Sequence, residues 1–475
     1  MKDTMKNVEQ IYTNCLAQGS YFIESEGEAA VIDPLRESFP YLERAKERGV
    51  KIKYIFETHF HADFVSGHLD LAEKTGATIV YGPGAETGFD KHEAEDGELF
   101  KLGKLSIKAL HTPGHTPEST TYLLRDESGE DHAIFTGDTL FIGDVGRPDL
   151  AQKATNLTQE DLAGWLYDSL RTKIMPLPDN VVVYPAHGAG SACGKNMSSE
   201  TWDLLGNQKK NNYALRADMT REEFIKEVTA GLMPPPQYFS QNAKLNKMGY
   251  GSFDEAMQRG QRALDISEFK KLVNQEDVLL LDVRDRWDFV NGHVPGAVFI
   301  GLGGSFAPWV GALIKDLGQK ILIVVNLGQE EEAVRRLSRV GYDNAIGYLE
   351  GGMSTWTDAG EPVAQLPTLK MDDFLKDYDP SHKVVDVRKP GEYETTHLDG
   401  ALSLPLDYFG KTEFGQHISP DEKYHLHCRS GFRSTIAASI LMKNGYSNLT
   451  NVIGDFDEMK SSDLPMVGSC PSLVS

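Results

Sequence analysis

The segment that decides the fold is Thr58-His59-Phe60-His61-Ala62-Asp63-Phe64, which directly follows the apolar run Lys53-Tyr54-Ile55-Phe56. The run predicts a strand, so the segment lies at a strand end. Two imidazoles and a carboxylate within five residues supply the lone pairs that a divalent cation binds. A histidine that is only hydrogen-bonded in the core is the alternative, but the alternating spacing favours a metal site.

The same arrangement, a His or an Asp after a predicted strand, recurs three times downstream. The segments are Leu105–Leu110 before His115, Ala133–Phe135 before Asp138, and Val181–Tyr184 before His187. Loops that converge on one edge of a scaffold build a site from residues distant in sequence. The alternation of strands and helices predicts an αββα sandwich, which begins with two antiparallel strands between Ile11 and Pro34.

Length and composition set the class of protein. A chain of 475 residues predicts about three domains at ~150 residues each. No apolar run approaches the ~18 residues that span a bilayer, and the N-terminus lacks a signal-type apolar core. We therefore expect a cytoplasmic protein with no membrane partner.

Charge and cysteine usage exclude further classes. With 70 acidic and 48 basic residues the net charge is -22, which repels a phosphate backbone, and no basic patch offsets it, so we expect no nucleic-acid partner. The four cysteines form no Cys-x-x-Cys pair. This spacing argues against a disulfide scaffold or a zinc ribbon and leaves single, reduced thiols.

The four motifs, His-x-His-x-Asp, Pro-Gly-His115-Thr, Thr-Gly-Asp138-Thr and Pro-Ala-His187-Gly, resemble the metallo-β-lactamase superfamily in order and spacing. The resemblance covers about residues 8–240. Binuclear zinc hydrolases of the glyoxalase II type in that superfamily carry a further histidine after the Asp. This chain has Phe64 there, which cannot ligate, and in this it resembles the persulfide dioxygenase branch.

The resemblance implies one Fe(II) per chain, held by His59, His115 and Asp138. Two imidazoles and one carboxylate form a facial triad with open positions, an arrangement suited to non-haem Fe(II) and dioxygen. The resemblance implies that three other residues orient the ligands or water and do not bind a second metal ion. These are His61, Asp63 and His187. Ordinary hydrogen bonding within the loops is their alternative role.

Two residues near these motifs are candidates for further roles. Arg147 places a guanidinium after the Asp138 loop, where we expect it to bind an anionic group of the substrate, a surface ion pair being the alternative. Cys193 follows His187 in a glycine-rich loop. If Lys195 nearby favours the thiolate of Cys193, this residue could carry a persulfide or have a redox role. The alternative is that Cys193 is a small buried residue with no such role.

An internal repeat sets the organisation of the second half. Asp282-Val283-Arg284 recurs 104 positions later as Asp386-Val387-Arg388, and other matches have the same spacing. We place the domains at 1–260, 261–365 and 366–475. The stretch before the boundary, about Thr220 to Gly260, is assigned to packing or to contacts in a homo-oligomer.

Both copies resemble rhodanese domains, which are doubly wound α/β units. The second copy retains the loop Cys428-Arg429-Ser430-Gly431-Phe432-Arg433, whose amides at a strand-to-helix turn form an anion cradle and, with two arginines, favour a Cys428 thiolate. A phosphatase also uses a cysteine and an arginine, but only four residues separate Cys428 from Arg433 here, which favours sulfur transfer. A structural cysteine is the remaining alternative.

The first copy lacks a nucleophile, because no cysteine lies between Cys193 and Cys428. Three glutamates, Glu330 to Glu332, also oppose an anion cradle at the corresponding loop. We therefore expect residues 261–365 to act as a scaffold.

The two resemblances together imply an iron persulfide dioxygenase that converts a thiol persulfide and O2 to sulfite, with Cys428 passing sulfane sulfur to sulfite to give thiosulfate or running in reverse. The thiol is left open among glutathione, coenzyme A and bacillithiol. A di-zinc thioester hydrolase of the glyoxalase II type is the alternative enzyme. A sulfur carrier or redox sensor is the alternative from a different class.

Overall fold

A computed structural model describes residues 7–151, 156–232, 234–410 and 413–468. The chain forms two compact units, one of Met1–Phe253 with Ser338–Gly341 and one of Asp254–Leu337 with Tyr342–Ser475. Within the described ranges, no helix has the length and apolarity needed to cross a membrane.

Two six-stranded sheets form the first unit. The first sheet has the spatial order β1-β2-β3-β4-β5-β6. Its strands are β1 Val8–Thr13, β2 Gln18–Ser25, β3 Glu28–Ile32, β4 Lys51–Phe56, β5 Thr78–Tyr81 and β6 His92–Glu93. The first three strands pair antiparallel and the later ones parallel. The prediction of two strands between Ile11 and Pro34 was wrong, because this region contains three.

The second sheet has the order β12-β11-β10-β9-β8-β7. Its strands are β7 Leu99–Leu102, β8 Leu105–His111, β9 Thr120–Arg125, β10 Asp131–Gly137, β11 Val182–Pro185 and β12 Asp203–Leu204. Because β10 and β11 run parallel, the loops that follow them leave the same edge of the sheet.

Helices cover both outer faces of this pair of sheets. They are α1 Phe39–Arg48, α2 His68–Thr75, α3 Gln159–Ser169, α4 Leu205–Asn211, α5 Arg221–Thr229 and α6 Phe239–Met248, with a π-helical turn at Leu170–Ile174. A core between the sheets joins Phe56 of the first to Phe135 of the second. Leu71 of α2 packs on the outside of the first sheet, and Leu166 of α3 packs on the outside of the second. The predicted αββα sandwich is confirmed.

The second unit contains two five-stranded parallel sheets with the same topology. Their orders are β13-β17-β16-β14-β15 and β18-β23-β22-β19-β21. The first sheet has β13 Ala263–Leu264, β14 Val278–Asp282, β15 Val298–Phe299, β16 Lys320–Val324 and β17 Ala345–Leu349. The second half has β18 Thr368–Lys370, β19 Lys383–Asp386, β20 His397–Leu398, β21 Leu402–Ser403, β22 Tyr424–His427, β23 Leu449–Ile453 and β24 Met466–Val467, of which β20 and β24 form a separate pair.

The helices of this unit follow the same repeat. They are α7 Phe253–Gly260, α8 Ile266–Val273, α9 Arg286–Asn291, α10 Phe306–Leu313, α11 Glu330–Ser338, α12 Gly352–Asp358, α13 Met371–Lys376, α14 Pro390–Thr395, α15 Phe432–Lys443 and α16 Phe456–Lys460, with 3-10 turns at Leu406–Tyr408 and Phe414–Gln416. Parallel strands require crossover connections, which these helices supply. The predicted pair of α/β domains is confirmed.

Candidate metal centre and sulfur-transfer loop

The predicted metal-binding side chains meet in the first unit, at the edge where the site-bearing strands end. The loop after β4 carries three of them, and the loops after β8, β10 and β11 carry one each. All six side chains are buried, at 5% exposure or less. They are His59, His61, Asp63, His115, Asp138 and His187.

A close approach between the two sheets brings these loops together. Gly137, at the end of β10, has a φ of 54°, and a Cβ there would lie 2.5 Å from Thr58 Oγ1. Only glycine fits this conformation and this contact. The glycine therefore allows the Asp138 loop to reach the segment that carries His59.

His59, His115 and Asp138 form one group whose candidate ligand atoms all lie within 4.8 Å of one another. Asp138 Oδ2 is 3.8 Å from His59 Nε2 and 3.4 Å from His115 Nε2. This buried oxygen has no hydrogen-bond partner. A buried carboxylate oxygen is costly without a partner, and a cation between it and the two imidazoles removes that cost.

Hydrogen bonds fix the tautomers of both imidazoles for metal binding. The Thr58 hydroxyl donates to Asp33 Oδ2 at 2.9 Å, so it accepts the proton of His59 Nδ1 at 3.0 Å. His115 Nδ1 donates to the carbonyl of Arg147 at 2.9 Å. Each Nε2 is therefore left with a lone pair directed toward Asp138, and the three residues fit a divalent cation with open positions.

His187 links this group to a second one. Its Nδ1 lies 2.8 Å from Asp138 Oδ1, and its Nε2 lies 2.8 Å from Asp63 Oδ2. Burial lowers the pKa of His187, but the carboxylates of Asp138 and Asp63 outweigh it and raise that pKa well above its ordinary value. A protonated His187 donates from Nδ1 to Asp138 and forms an ion pair with Asp63 through Nε2, and this fixes the orientation of Asp138.

The charge of Asp138 follows from the same contacts. Burial raises the pKa of its carboxyl, but the protonated His187 outweighs burial and holds that pKa below its ordinary range. The pKa of His59 is itself well below its ordinary value, first because of burial and then because of His61. An ionised Asp138 beside a neutral His59 is the protonation state that a metal requires.

His61, Asp63 and His187 form a second group within 4.8 Å. Phe64 is fully buried beside it, with its ring 4.5 Å from that of His61 and 6.4 Å from that of His187. A carbon ring therefore lies against both imidazoles. This environment is poorer in ligands than a group with a further histidine.

Sequence reasoning missed two buried carboxylates behind this second group. Asp33 Oδ1 and Glu57 Oε2 lie 3.1 and 3.8 Å from His61 Nε2. Burial and then Asp33 raise the pKa of Glu57 well above its ordinary value. A signal existed, because Asp33 follows β3 just as the other site residues follow their strands.

Arg147 is buried, and its guanidinium is already paired. Nε and Nη2 each donate to Asp149 at 2.7 Å, and Nη1 donates to the Ala192 carbonyl at 3.3 Å. Its carbonyl orients His115. A role in substrate binding stays a prediction.

Of the two alternatives for Cys193, the structure disfavours a thiolate. Burial, followed by the carboxylates of Asp63 and Asp138, raises the pKa of this thiol well above its ordinary value. Lys195 does not counter this, because its ammonium donates to the carbonyls of Glu227 and Ala230.

The sulfur-transfer loop lies in the second unit, between β22 and α15. Cys428 is 2% exposed, and the Gly431 amide donates to its Sγ at 3.1 Å. Gly431 has a φ of 93°, and a Cβ there would lie 2.8 Å from Ile453. The loop therefore presents the Gly431 amide to the sulfur and requires glycine at this position.

The side chains of this loop have different environments. Arg433 donates to Glu392 at 2.6 and 2.9 Å. Burial lowers the pKa of Arg433, but Glu392 and Cys428 outweigh burial and raise that pKa. Arg429 is 66% exposed and 3.4 Å from Asp457. The Phe432 ring lies 5.8 Å from that of Phe299 in the first copy. Substrate contacts by Arg429, Ser430, Gly431, Phe432 and Arg433 stay predictions.

Comparisons with known families agree with this geometry. A model of the metallo-beta-lactamase superfamily matches residues 14–187. A model of the rhodanese-like domain matches twice, over residues 265–359 and 370–462. These matches cover the metal group and the Cys428 loop respectively.

Relatives include both dioxygenases and hydrolases. The mitochondrial persulfide dioxygenase ETHE1 of Homo sapiens is 32% identical over 214 residues, 44% of this chain and 74% of that protein. A probable hydroxyacylglutathione hydrolase of Schizosaccharomyces pombe is 33% identical over 167 residues, 34% of this chain. That match spans 60% of the hydrolase, so it is less than two thirds of that relative's length.

A solved structure resembles most of the chain. It is a metallo-beta-lactamase from Staphylococcus aureus subsp. aureus COL, 30% identical, with a TM-score of 0.63. The similarity covers 72% of this chain and 97% of that one. The chain belongs to the metallo-beta-lactamase superfamily and carries two rhodanese-like domains, the first of which lacks the cysteine.

Proposed function

We propose that this chain is an iron persulfide dioxygenase coupled to rhodanese sulfur transfer. The observation that carries the proposal is the buried group of His59, His115 and Asp138, whose Nε2 lone pairs and free carboxylate oxygen converge. A bound Fe(II) would supply the redox chemistry with O2 that oxidation of a persulfide sulfur needs.

The surrounding residues have separate tasks in this proposal. Thr58 and the Arg147 carbonyl hold the two imidazoles in the ligating tautomer. Protonated His187 keeps Asp138 ionised and oriented, and Phe64 keeps one side of the site apolar. The overall reaction consumes a thiol persulfide, O2 and water and gives the parent thiol and sulfite.

The second unit handles sulfane sulfur. Cys428 takes the terminal sulfur of a persulfide as an enzyme persulfide and transfers it to sulfite, which gives thiosulfate and regenerates the thiol. Having both sites in one chain would raise the local concentration of the shared intermediates where the geometry permits their exchange. Glutathione, coenzyme A and bacillithiol remain candidate thiols, and we propose a cytoplasmic location.

Metal analysis combined with oxygen uptake tests this proposal. We expect one iron per chain and O2 consumption with a panel of thiol persulfides, accompanied by sulfite or thiosulfate. Two zinc ions per chain with thioester cleavage and no O2 uptake would overturn it. Stoichiometric persulfidation without turnover would indicate a sulfur carrier instead.

A di-zinc thioester hydrolase is the second candidate. It is favoured by the group of His61, Asp63 and His187, whose candidate ligand atoms also lie within 4.8 Å. The hydrolase relatives support it as well. In that case the chain should hydrolyse S-lactoylglutathione, and activity should rise with zinc rather than with iron.

A further inference from the structure

A cleft in the second unit lies between the two rhodanese copies, beside the loop that carries Cys428. Its volume is about 620 Å³. Arg286 and Trp287 of the first copy line one side, and Arg429 and Ser430 of the Cys428 loop line the other. Ligand sites for small organic molecules typically have volumes of ~300–1,000 Å³, whereas thiosulfate needs far less space.

Arg286 connects the first copy directly to the active loop. Its Nη1 donates to the carbonyl of Ser430 at 2.7 Å. Ser430 is two residues beyond Cys428, and the next residue, Gly431, donates its amide to the Cys428 sulfur at 3.1 Å. The guanidinium of a copy without a nucleophile therefore contacts the loop that carries the nucleophile of the other copy.

The internal repeat indicates that these side chains are not needed by the scaffold. Arg286 and Trp287 are the first two residues of α9. The same two positions of α14, 104 residues later, are Pro390 and Gly391. The helix therefore forms in this fold without either large side chain, so Arg286 and Trp287 are free to serve the cleft.

The charges of the cleft define the ligand. Lys370 and the two arginines provide positive charge, and Asp372, Asp455 and Glu458 provide negative charge. Trp287 adds an aromatic surface that is 39% exposed. Charges of both signs around an apolar surface fit a molecule with carboxylate and ammonium groups better than a simple polyanion.

We propose that the first rhodanese copy forms the donor-binding wall of the Cys428 site. Arg286 and Trp287 hold the body of a low-molecular-weight thiol persulfide that has carboxylate and ammonium groups, while its terminal sulfur reaches Cys428. This inference rests on the sulfur transfer proposed above. The Cys428 thiolate attacks the terminal sulfur, the sulfur–sulfur bond of the donor breaks, and the parent thiolate leaves with the bonding electrons.

A donor comparison tests this role. The double variant Arg286→Pro/Trp287→Gly introduces the residues that α14 has at the same two positions. The control, Arg262→Ala, changes an exposed residue of the same copy outside the cleft. Sulfur transfer to sulfite is measured anaerobically with glutathione persulfide, and transfer to cyanide with thiosulfate. We expect the KM for glutathione persulfide to rise about tenfold in the double variant, well beyond any rise in the KM for thiosulfate, with Arg262→Ala matching wild type for both donors.

Other outcomes have defined meanings. An equal loss with both donors means that Arg286 only holds the loop, and no change with either donor means that the cleft binds no donor; both overturn the inference. Trp287→Ala alone, which removes no hydrogen bond to Ser430, should still raise the KM for glutathione persulfide but not for thiosulfate. If the wild-type chain transfers sulfur from neither donor, the proposed sulfur transfer fails, and this inference fails with it.

Discussion

The two rhodanese copies share a scaffold and differ in chemistry. In each copy a buried Arg forms an ion pair with the Asp two residues earlier. The Nη2 to Oδ2 distance is 2.7 Å for Arg284 and 2.6 Å for Arg388. In each, a tyrosine hydroxyl donates to the carbonyl of an isoleucine, from Tyr342 in one and Tyr446 in the other. These contacts, which both copies share, hold the fold.

The loops after β16 and β22 show the difference. The second presents Cys428 to the Gly431 amide. The first continues from Val324 into Val325 and Asn326 and exposes 74% of Leu327. The fold therefore depends on the buried pairs, whereas reactivity depends on a few loop residues, so reactivity can be lost while the fold is kept.

Removing the nucleophile should have the largest effect. Cys428→Ser should reduce sulfur transfer from thiosulfate to cyanide below about one thousandth of wild type, because the attacking sulfur is gone. Oxygen uptake with a thiol persulfide should persist, and sulfite should accumulate in place of thiosulfate. Cys15→Ser, which changes a half-buried thiol of the first unit, is the control.

The contrary result is equally clear. Loss of both oxygen uptake and sulfur transfer in Cys428→Ser, in protein that retains its iron, would refute the assignment of the two reactions to separate units.

The shared buried pair should be needed in both copies. Asp282→Asn and Asp386→Asn each leave a buried guanidinium without its counter-charge, which costs about 3–5 kcal/mol of unfolding free energy. Urea unfolding of the full chain measures this loss of unfolding free energy from the transition that belongs to the second unit. A loss below about 1 kcal/mol in either variant would show that its arginine finds another partner. Leu279→Ala, in the same strand as Asp282, changes no charge and serves as a comparison.

Much of the fold and site follows from strand-end patterns. A run of β-branched and apolar residues before His59, His115, Asp138 and His187 placed all four loops, and the structure brings them to one edge. The 104-residue repeat likewise predicted two domains with one topology. These features are periodic or local, so sequence alone contains them.

What the sequence did not reveal depends on turn conformation and on tertiary contacts. The extra N-terminal strand arises at Glu26-Gly27, where both residues have positive φ, of 49° and 81°, in a tight hairpin turn. The usual signal for such a turn is Asn-Gly or Asp-Gly, so the break was not recognised. An ion pair was the alternative for Arg147, but its partner, Asp149, was not identified because a two-residue separation gives no periodic signal.

The glycines of the two loops should respond differently to the same substitution. Gly431 and Gly328 both have positive φ, of 93° and 85°, which costs ~1–2 kcal/mol for alanine. Only at Gly431 would the new Cβ also meet Ile453, at 2.8 Å, whereas nothing lies within 4 Å at Gly328. Overpacking adds about 1–3 kcal/mol.

Gly431→Ala should therefore destabilise the second unit by about 2–5 kcal/mol and reduce sulfur transfer, and Gly328→Ala should cost about 1–2 kcal/mol with transfer unchanged. Urea unfolding and the thiosulfate assay measure the two effects. Equal losses of stability and activity in both variants would mean that the loops are equivalent.

The smallest expected effect concerns the ion pair that only the second loop has. Burial raises the pKa of Glu392, but Arg433 outweighs it and holds that pKa below its ordinary value. The position 104 residues earlier is Asp288, which accepts from the uncharged amide of Asn326 at 3.1 Å. Only the second copy therefore has a charge pair here.

A carboxyl whose pKa is lowered by folding stabilises the folded state above its unfolded pKa, and this stabilisation is lost as the pH falls through the folded value. Glu392→Gln should thus cost about 0.5–1 kcal/mol at pH 7, and the difference from wild type should shrink below about pH 4.5. The stability difference between Asp288→Asn and wild type should not shrink at low pH, because the partner of Asp288, the Asn326 amide, has no charge. Unfolding free energies at pH 7 and pH 4 measure both, and a difference for Glu392→Gln that stays constant with pH would show that Arg433 is not paired in solution.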